Sequence, residues 1–406
     1  MNEYANSIKE KLDTLLTEMH EYSSMFVNNP EKDFTRKRKL NFKDMLSILL
    51  SMEGNSLKLE LMKYFSYDVE TATSSAFVQQ RDKILPDALE LIFHRFTASA
   101  VNPNYYDGYR MLAVDGSDLR IAHNPNDTEN YFLANENEKG HNLIHLNAMY
   151  DLCSRVYVDA IVQPGRKKNE FQALNDMVDR SDIKEETIVT ADRGYEGYNV
   201  FEHIKKKGWN YVIRVKDIGS SGIASTLSLP NQEIFDIEYS TLLTRRQTKE
   251  IKEHREKYKF MALNQKFDYL PVGDKGIYPI NFRVVRFAIS ENTYEVIITN
   301  LTEKEFPAEK IKEIYHLRWG IMPISALSPL CRYFFNADSF NICRLAFCNI
   351  SSCFLAISDF LGIMKFLRSV TSLWEPQPKV NAKNSIKISP NHVTFLVFMR
   401  VVFVIT

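Results

Sequence analysis

The sequence predicts an α/β chain: a helical first hundred residues, then a mixed sheet with covering helices, interrupted by a β-rich insertion. Three observations carry that prediction. Apolar residues recur at helical spacing up to about position 100. From position 110 they give way to short apolar runs bounded by Gly, Pro or Asp. Beyond position 165 helix-like and strand-like segments alternate, as they do when helices cover a sheet.

In order along the chain, Leu12, Leu15, Leu16 and Met19 mark a first helix. Asn41 is placed to cap a second, carrying Met45, Leu46, Leu49 and Leu50. Glu53-Gly54-Asn55-Ser56 makes a turn before another apolar run at 57–65, and helix, short turn and helix have the make-up of a helix-turn-helix. Arg36, Lys37, Arg38 and Lys39 precede it, with Lys43 one turn on. That cationic stretch suits phosphate contacts, although alone it reads more simply as a solvated charge run before a core helix.

Residues 110–114 form a short strand running into Asp115-Gly116-Ser117-Asp118. Segments 143–150 and 155–163 form two more, joined by a polar turn near Asp151. Pro164-Gly165 ends the second. Asn169 then caps a helix whose expected buried face is Phe171, Leu174, Met177 and Val178. A buried strand at 187–191 runs into Asp192-Arg193-Gly194-Tyr195, followed by a helix at 198–207 and a strand at 209–215. Residues 217–290 are polar, contain Arg245-Arg246-Gln247, and read as the β-rich insertion. A strand at 294–300 resumes the sheet, and a helix follows at 308–319.

Composition sets limits. The 406 residues carry 51 Lys+Arg against 51 Asp+Glu, with 45% hydrophobic and 25% charged residues, which excludes a disordered, collagenous or disulfide-scaffold chain. Length alone predicts two or three domains. Five cysteines and an N-terminus (Met1-Asn2-Glu3-Tyr4) without an apolar core predict a reducing, cytoplasmic setting. The zero net charge averages two stretches. Residues 323–406 hold 11 charged residues, roughly 13% against roughly 28% before them and about 25% in ordinary proteins. Four of the five cysteines (Cys331, Cys343, Cys348, Cys353) also lie there.

Asp115 and Asp192 each follow a short apolar strand and are followed at once by Gly or Arg-Gly. Carboxylates at strand ends, aimed into one crevice, are what a hard divalent cation needs. Two such ions would stabilise the attacking and leaving oxygens of a phosphodiester displacement. Turn aspartates capping loops are the common alternative. On the helix at 308–322, Tyr315 and position 322 fall nearly on one line at about 100° per residue, with Arg318 between them.

The blocks Leu112-Ala113-Val114-Asp115-Gly116-Ser117, Thr190-Ala191-Asp192-Arg193-Gly194-Tyr195 and Tyr315-His316-Leu317-Arg318-Trp319-Gly320-Ile321 resemble those of the insertion-sequence-4 (IS4) type DDE transposases. The resemblance covers roughly residues 30–321. It implies an RNase H-like catalytic core at 106–322 with the insertion at about 217–290, and a helical DNA-binding region at 1–105. It also implies Mg²⁺- or Mn²⁺-dependent cutting and joining of DNA at a two-metal site. Asp115 and Asp192 match the first two catalytic metal ligands, and Tyr315 and Arg318 the DNA-contacting pair. The implied partners are transposon terminal inverted repeats, target DNA and a second copy in synapsis. The implied setting is a prokaryotic nucleoid.

The third ligand is missing. The family pattern continues with Glu at 322 and Lys at 329, where this chain has Met322 and Pro329. A thioether is a poor ligand for a hard cation, and Pro323 disfavours a helical residue before it. The composition shift falls at the same place. The expectation is an altered or frameshifted C-terminus over 323–406 and an impaired enzyme. The alternatives are a DNA-binding remnant that inhibits transposition, or an RNase H-like nuclease unrelated to it. His141 and His145 read as a satisfied polar pair rather than a zinc site. The apolar segments 345–367 and 393–405 carry charges or are too short, so no membrane association is expected.

Overall fold

The computed structural model describes residues 2–318, apart from 54, 101 and 134–138; Trp319, Met322, Pro323, Pro329 and the 323–406 tail fall outside the described residues. Helix α1 (Asn2–Glu21) buries Leu16 and Met19. Helix α2 (Phe42–Ser51) starts where the sequence places it: Asn41 accepts the Asp44 N–H at 2.8 Å, and the Asp44 carboxylate accepts the Asn41 N–H at 3.4 Å. This reciprocal cap satisfies two donors that the helix itself leaves open. Ser56 and Thr73 cap α3 (Leu57–Tyr64) and α4 (Ser74–Arg81), and α5 (Asp87–Ala100) closes the helical part.

Ten strands form one mixed sheet among the described residues: β1 (Arg110–Ile121), β2 (Tyr131–Phe132), β3 (His141–Asp151), β4 (Val156–Pro164), β5 (Thr187–Ala191), β6 (Asn210–Val215), β7 (Phe235–Thr244), β8 (Tyr258–Phe260), β9 (Ile277–Ser290) and β10 (Thr293–Thr299). Their order is β2-β3-β1-β5-β6-β10-β9-β7-β8, with β4 on β3. The pairs β1–β5, β5–β6 and β7–β8 are parallel and the rest antiparallel.

Alternation along the strands assigns the two faces. Leu112, Val114, Val189 and Ala191 point to the face covered by α6 (Glu170–Arg180) and α7 (Tyr198–Lys206), sharing a core with Leu174, Met177, Val200, Phe201 and Ile204. Met111, Ile188, Val212 and Ile297 point to the other face, where Ile311, Ile314 and Tyr315 of α9 (Ala308–Leu317) meet them. On that same face Ala113, Leu119 and Ile144 join the core of α1, α2, α4 and α5, so the helical part and the sheet are packed as one body there.

The β-rich insertion at 217–290 adds strands to the edge of the sheet and widens it. Ile280, Phe282 and Val284 of β9 alternate into the core that holds Val296 and Ile298 of β10, and burying that file requires the same helices. The basic run there is structural at Arg245, whose guanidinium donates to the carbonyls of Leu270, Ala262 and Gln265 at 2.7, 2.8 and 2.9 Å, tying the loop beside α8 (Lys249–Glu253). Phe171, expected inside, is 42% exposed, because the first turn of α6 lies over Gly197 rather than over the strands.

Arg286 of β9 donates to both Asp217 oxygens at 2.8 and 2.9 Å, joining the sheet to the chain just past β6. That hydrogen-bonded guanidinium holds the Asp217 carboxyl below its ordinary value. A depressed folded value adds stability that is complete above the unfolded value and disappears as pH falls through the folded one. Asp217→Asn is therefore expected to lose about 1 kcal/mol at pH 7, a figure held down by solvent screening of a side chain 35% exposed. Denaturant unfolding followed as pH falls from 7 checks this: the difference from wild type should shrink as pH passes through the lowered Asp217 value.

Candidate active site

The site forms where two parallel strands part. Strands β1 and β5 pair in register from Arg110↔Thr187 to Ala113↔Thr190. Strand β5 stops at Ala191, and Asp192 opens a single 3-10 turn (Arg193–Tyr195). Strand β1 does not stop. Contrary to the expectation of a strand end at Asp115, it runs on to Ile121, held by β3 through Asp115↔Ala148 and Gly116↔Asn147. The carboxyl end of a parallel pair is the usual place for a ligand in such sheets.

Asp115 and Asp192 each lie two residues past the Ala113↔Thr190 pair, and Asp192 keeps extended backbone angles. They therefore share the file of Met111 and Ile188, on adjacent strands about 5 Å apart. Burial pushes the Asp115 carboxyl above the usual carboxylate range; Arg318 opposes this, while the charges of Asp192 and Glu170 push the same way. One Asp192 oxygen, Oδ1, also accepts the Gly194 N–H at 2.7 Å, so the turn-capping role applies as well.

Helix α9 brings Tyr315 and Arg318 to the same face. The Arg318 guanidinium lies 5.3 Å from the Tyr315 ring centroid. Tyr315 is 0% exposed and Arg318 7%. Tyr315 anchors α9 to the sheet, because Ile311 and Ile314 on the same turn are buried with it. Arg283 fixes where α9 begins, donating to the Phe306 carbonyl at 2.7 Å and forking onto Asp236 from a position 1% exposed.

Sequence reasoning missed Glu170 and set His145 aside. His145 does not pair with His141, which stacks on Phe132. It is 2% exposed, with Nδ1 2.6 Å from Asp118 Oδ1 and Nε2 3.0 Å from Glu170 Oε1. Burial alone would lower its pKa, and the Glu170 and Asp118 carboxylates outweigh that and raise it. Lys168 adds a second cation on Asp118 at 3.0 Å. The available signal was Asn169, whose capping of α6 puts Glu170 on the first turn, but nothing local joins positions 145 and 170.

The cationic stretch is divided. Arg36 and Arg38 line a small cleft of about 100 Å³ with Lys32 and Lys83, whereas Lys39 is paired with Glu70. Lys37 has no part in that cleft's lining. For a divalent cation the donors are right in kind: two carboxylates whose charges resist one another would be relieved by binding one. They are short in number, since among the described residues no group of three or more His, Cys, Asp or Glu is disposed to hold a metal ion.

A mixed α/β sheet with two acids at the parting of parallel strands and an Arg-bearing helix over them defines an RNase H-like architecture of the transposase type. The family model described as the Transposase DDE domain matches residues 106–321, and the chain belongs to that family. No curated protein matches. A solved structure described as a piggyBac transposase synaptic complex with hairpin DNA is similar at 9% identity and a TM-score of 0.35, too low a score to bear on the fold. That match covers 79% of this chain and 65% of the other. No helix among the described residues is long and apolar enough to cross a membrane.

The two glycines of the aspartate motifs are there for space. A Cβ on Gly116 would fall 2.8 Å from both Glu170 Oε1 and His145 Nε2. Because His145 is buried and hydrogen-bonded to Asp118, Gly116→Ala is expected to destabilise by about 1–3 kcal/mol, outweighing the gain of losing a flexible glycine. Gly219→Ala, in open space, is the control and should be neutral within about 0.5 kcal/mol. Thermal unfolding of both variants decides it.

Proposed function

We propose that the chain is a DNA transposase of the IS4 type whose acid pair, Asp115 and Asp192, binds Mg²⁺ or Mn²⁺, and that this copy is catalytically impaired. The observation that supports the reading is the register of β1 and β5, in which both acids follow the Ala113↔Thr190 pair by two positions. The family membership supports a divalent-cation requirement in general. Asp115 and Asp192 would hold the cation, and what it supplies when bound is stabilisation of the attacking and leaving oxygens at phosphorus. Water and then the 3′ hydroxyl of the cut strand are the nucleophiles. Arg318 lies where it would offset phosphate charge, and its burial means that the DNA strand must enter the crevice to meet it.

The helical residues 1–105 are the proposed DNA-binding region, with Arg36 and Arg38 as phosphate contacts and Lys37 and Lys39 in support. Residues 106–322 are the proposed catalytic domain, and 323–406 a tail foreign to the family. Impairment rests on Met322 and Pro329, where the family pattern has Glu and Lys. A residual role as an end-binding inhibitor follows from the same two positions. DNA ends, target DNA and a second copy in synapsis are the proposed partners, in a prokaryotic cytoplasm.

Nicking of supercoiled plasmid carrying candidate ends, with Mg²⁺ or Mn²⁺, tests this. A version whose C-terminus is restored from the gene's other reading frames should cleave at least about 100-fold faster than this chain, since a lost ligand is worth several kcal/mol of transition-state charge stabilisation. In that restored version Asp115→Asn or Asp192→Asn should abolish cleavage. Robust cleavage by the present chain would refute the impairment, and cleavage surviving both substitutions would refute the acid pair. If neither other frame continues with Glu and a Lys-bearing helix, the frameshift origin is wrong.

A further inference from the structure

Glu170 sits between the two aspartate motifs. Its two oxygens are divided between them: Oε1 lies 2.8 Å from where a Cβ on Gly116 would be, and Oε2 lies 3.0 Å from where one on Gly194 would be. Gly116 directly follows Asp115. Gly194 donates its N–H to Asp192 Oδ1 at 2.7 Å. One carboxylate therefore packs against both glycines, in space that a side chain at either would crowd.

A buried histidine stands beneath Glu170, at ion-pair distance and without a hydrogen bond to it. His145 Nε2 approaches Oε1 at 3.0 Å, and Asp118, itself bound by Lys168, fixes the other ring nitrogen at 2.6 Å. His145 is buried on β3, whose neighbour β1 carries Asp115, so this brace is built on the same strands as the acid pair. Asn169 caps α6 through the Gln172 N–H, so Glu170 also stands at the positive end of the helix dipole.

We propose that Glu170, braced by His145, is a positioning residue for the Asp115–Asp192 pair: it fixes the Asp192 turn against β1 and deepens the negative potential that draws a divalent cation to the crevice. The assignment rests on the acid-pair reading above and adds a residue to it. Glu170 is not one of the cation's proposed ligands; it acts through the two glycines and through its charge. A carboxylate beside both aspartate motifs adds like charge to the cation-free fold, which a protonated His145 offsets in part.

The full chain is tested in two arms. In EDTA, thermal unfolding is measured for wild type, Glu170→Gln, Asp115→Asn and the double variant. Like-charge crowding predicts that Glu170→Gln raises Tm, and that its effect shrinks clearly in the Asp115→Asn background. In the second arm Mn²⁺ binding is followed directly by electron paramagnetic resonance. Glu170→Gln and His145→Ala should weaken Mn²⁺ roughly 10-fold, in the range of losses seen for residues supporting metal ligands, while Asp192→Asn removes binding. Additive Tm effects, with Mn²⁺ affinity unchanged in Glu170→Gln, would overturn the proposal. A plain fall in Tm with unaltered affinity would assign Glu170 a structural role only and overturn it too. If wild type takes up no Mn²⁺, the acid-pair reading fails while the EDTA arm still decides whether Glu170 and Asp115 are coupled.

Discussion

The parallel pairing of β1 with β5 is the constraint on which the rest depends. Four residue pairs, from Arg110↔Thr187 to Ala113↔Thr190, bring together segments that are 77 positions apart. They set Asp115 and Asp192 at equal height, and they make β5 end one residue short of the second acid. Because β1 continues on β3, the first acid sits on a rigid ladder, while the second sits on a turn capped by its own side chain. A slip of one residue in this register would turn one acid to the opposite face and bury it among Val114 and Val189. The apolar files of both strands, fully buried against helices on both faces, exclude that slip.

The surroundings of the pair show a balance of charges rather than a simple acidic pocket. On the α9 face Arg318 lowers the tendency of Asp115 to hold a proton, and on the other face Glu170 raises it. His145 Nε2, 3.0 Å from Glu170 Oε1, offsets the charge of that carboxylate when protonated. The helix face that carries Arg318 is secured far from the crevice, by Arg283 holding the Phe306 carbonyl, so the placement of a charge at one end of α9 depends on a buried ion pair at the other. Helix and sheet are in this sense one device for holding a small number of charges at set distances.

Much of the fold was legible in the sequence where the physics is local. The strand at 187–191 and the helix from Tyr198 were read correctly, because a run of buried β-formers and a capped amphipathic segment are recognisable within ten residues. The caps at Asn41 and Asn169 were read for the same reason. The continuation of β1 past Asp115 was not, since Gly116-Ser117 looks like a turn until β3 is known to lie alongside. The merging of 217–290 into the sheet was equally hidden, because polar spacers between short strands resemble a separate module.

The sequence by itself determined the capped helices and the short buried strands, which acids follow apolar runs, and that the pattern breaks at Met322, since periodicity, capping and ligand chemistry are properties of neighbouring residues. Only the tertiary structure decided that Tyr315 is an anchor, that Arg245 serves a loop, and that Glu170 and His145 belong beside the acid pair. Those outcomes depend on strand register and on packing across the two faces of a sheet. Such contacts join positions 25 to 200 residues apart, and no local preference of either partner reports them.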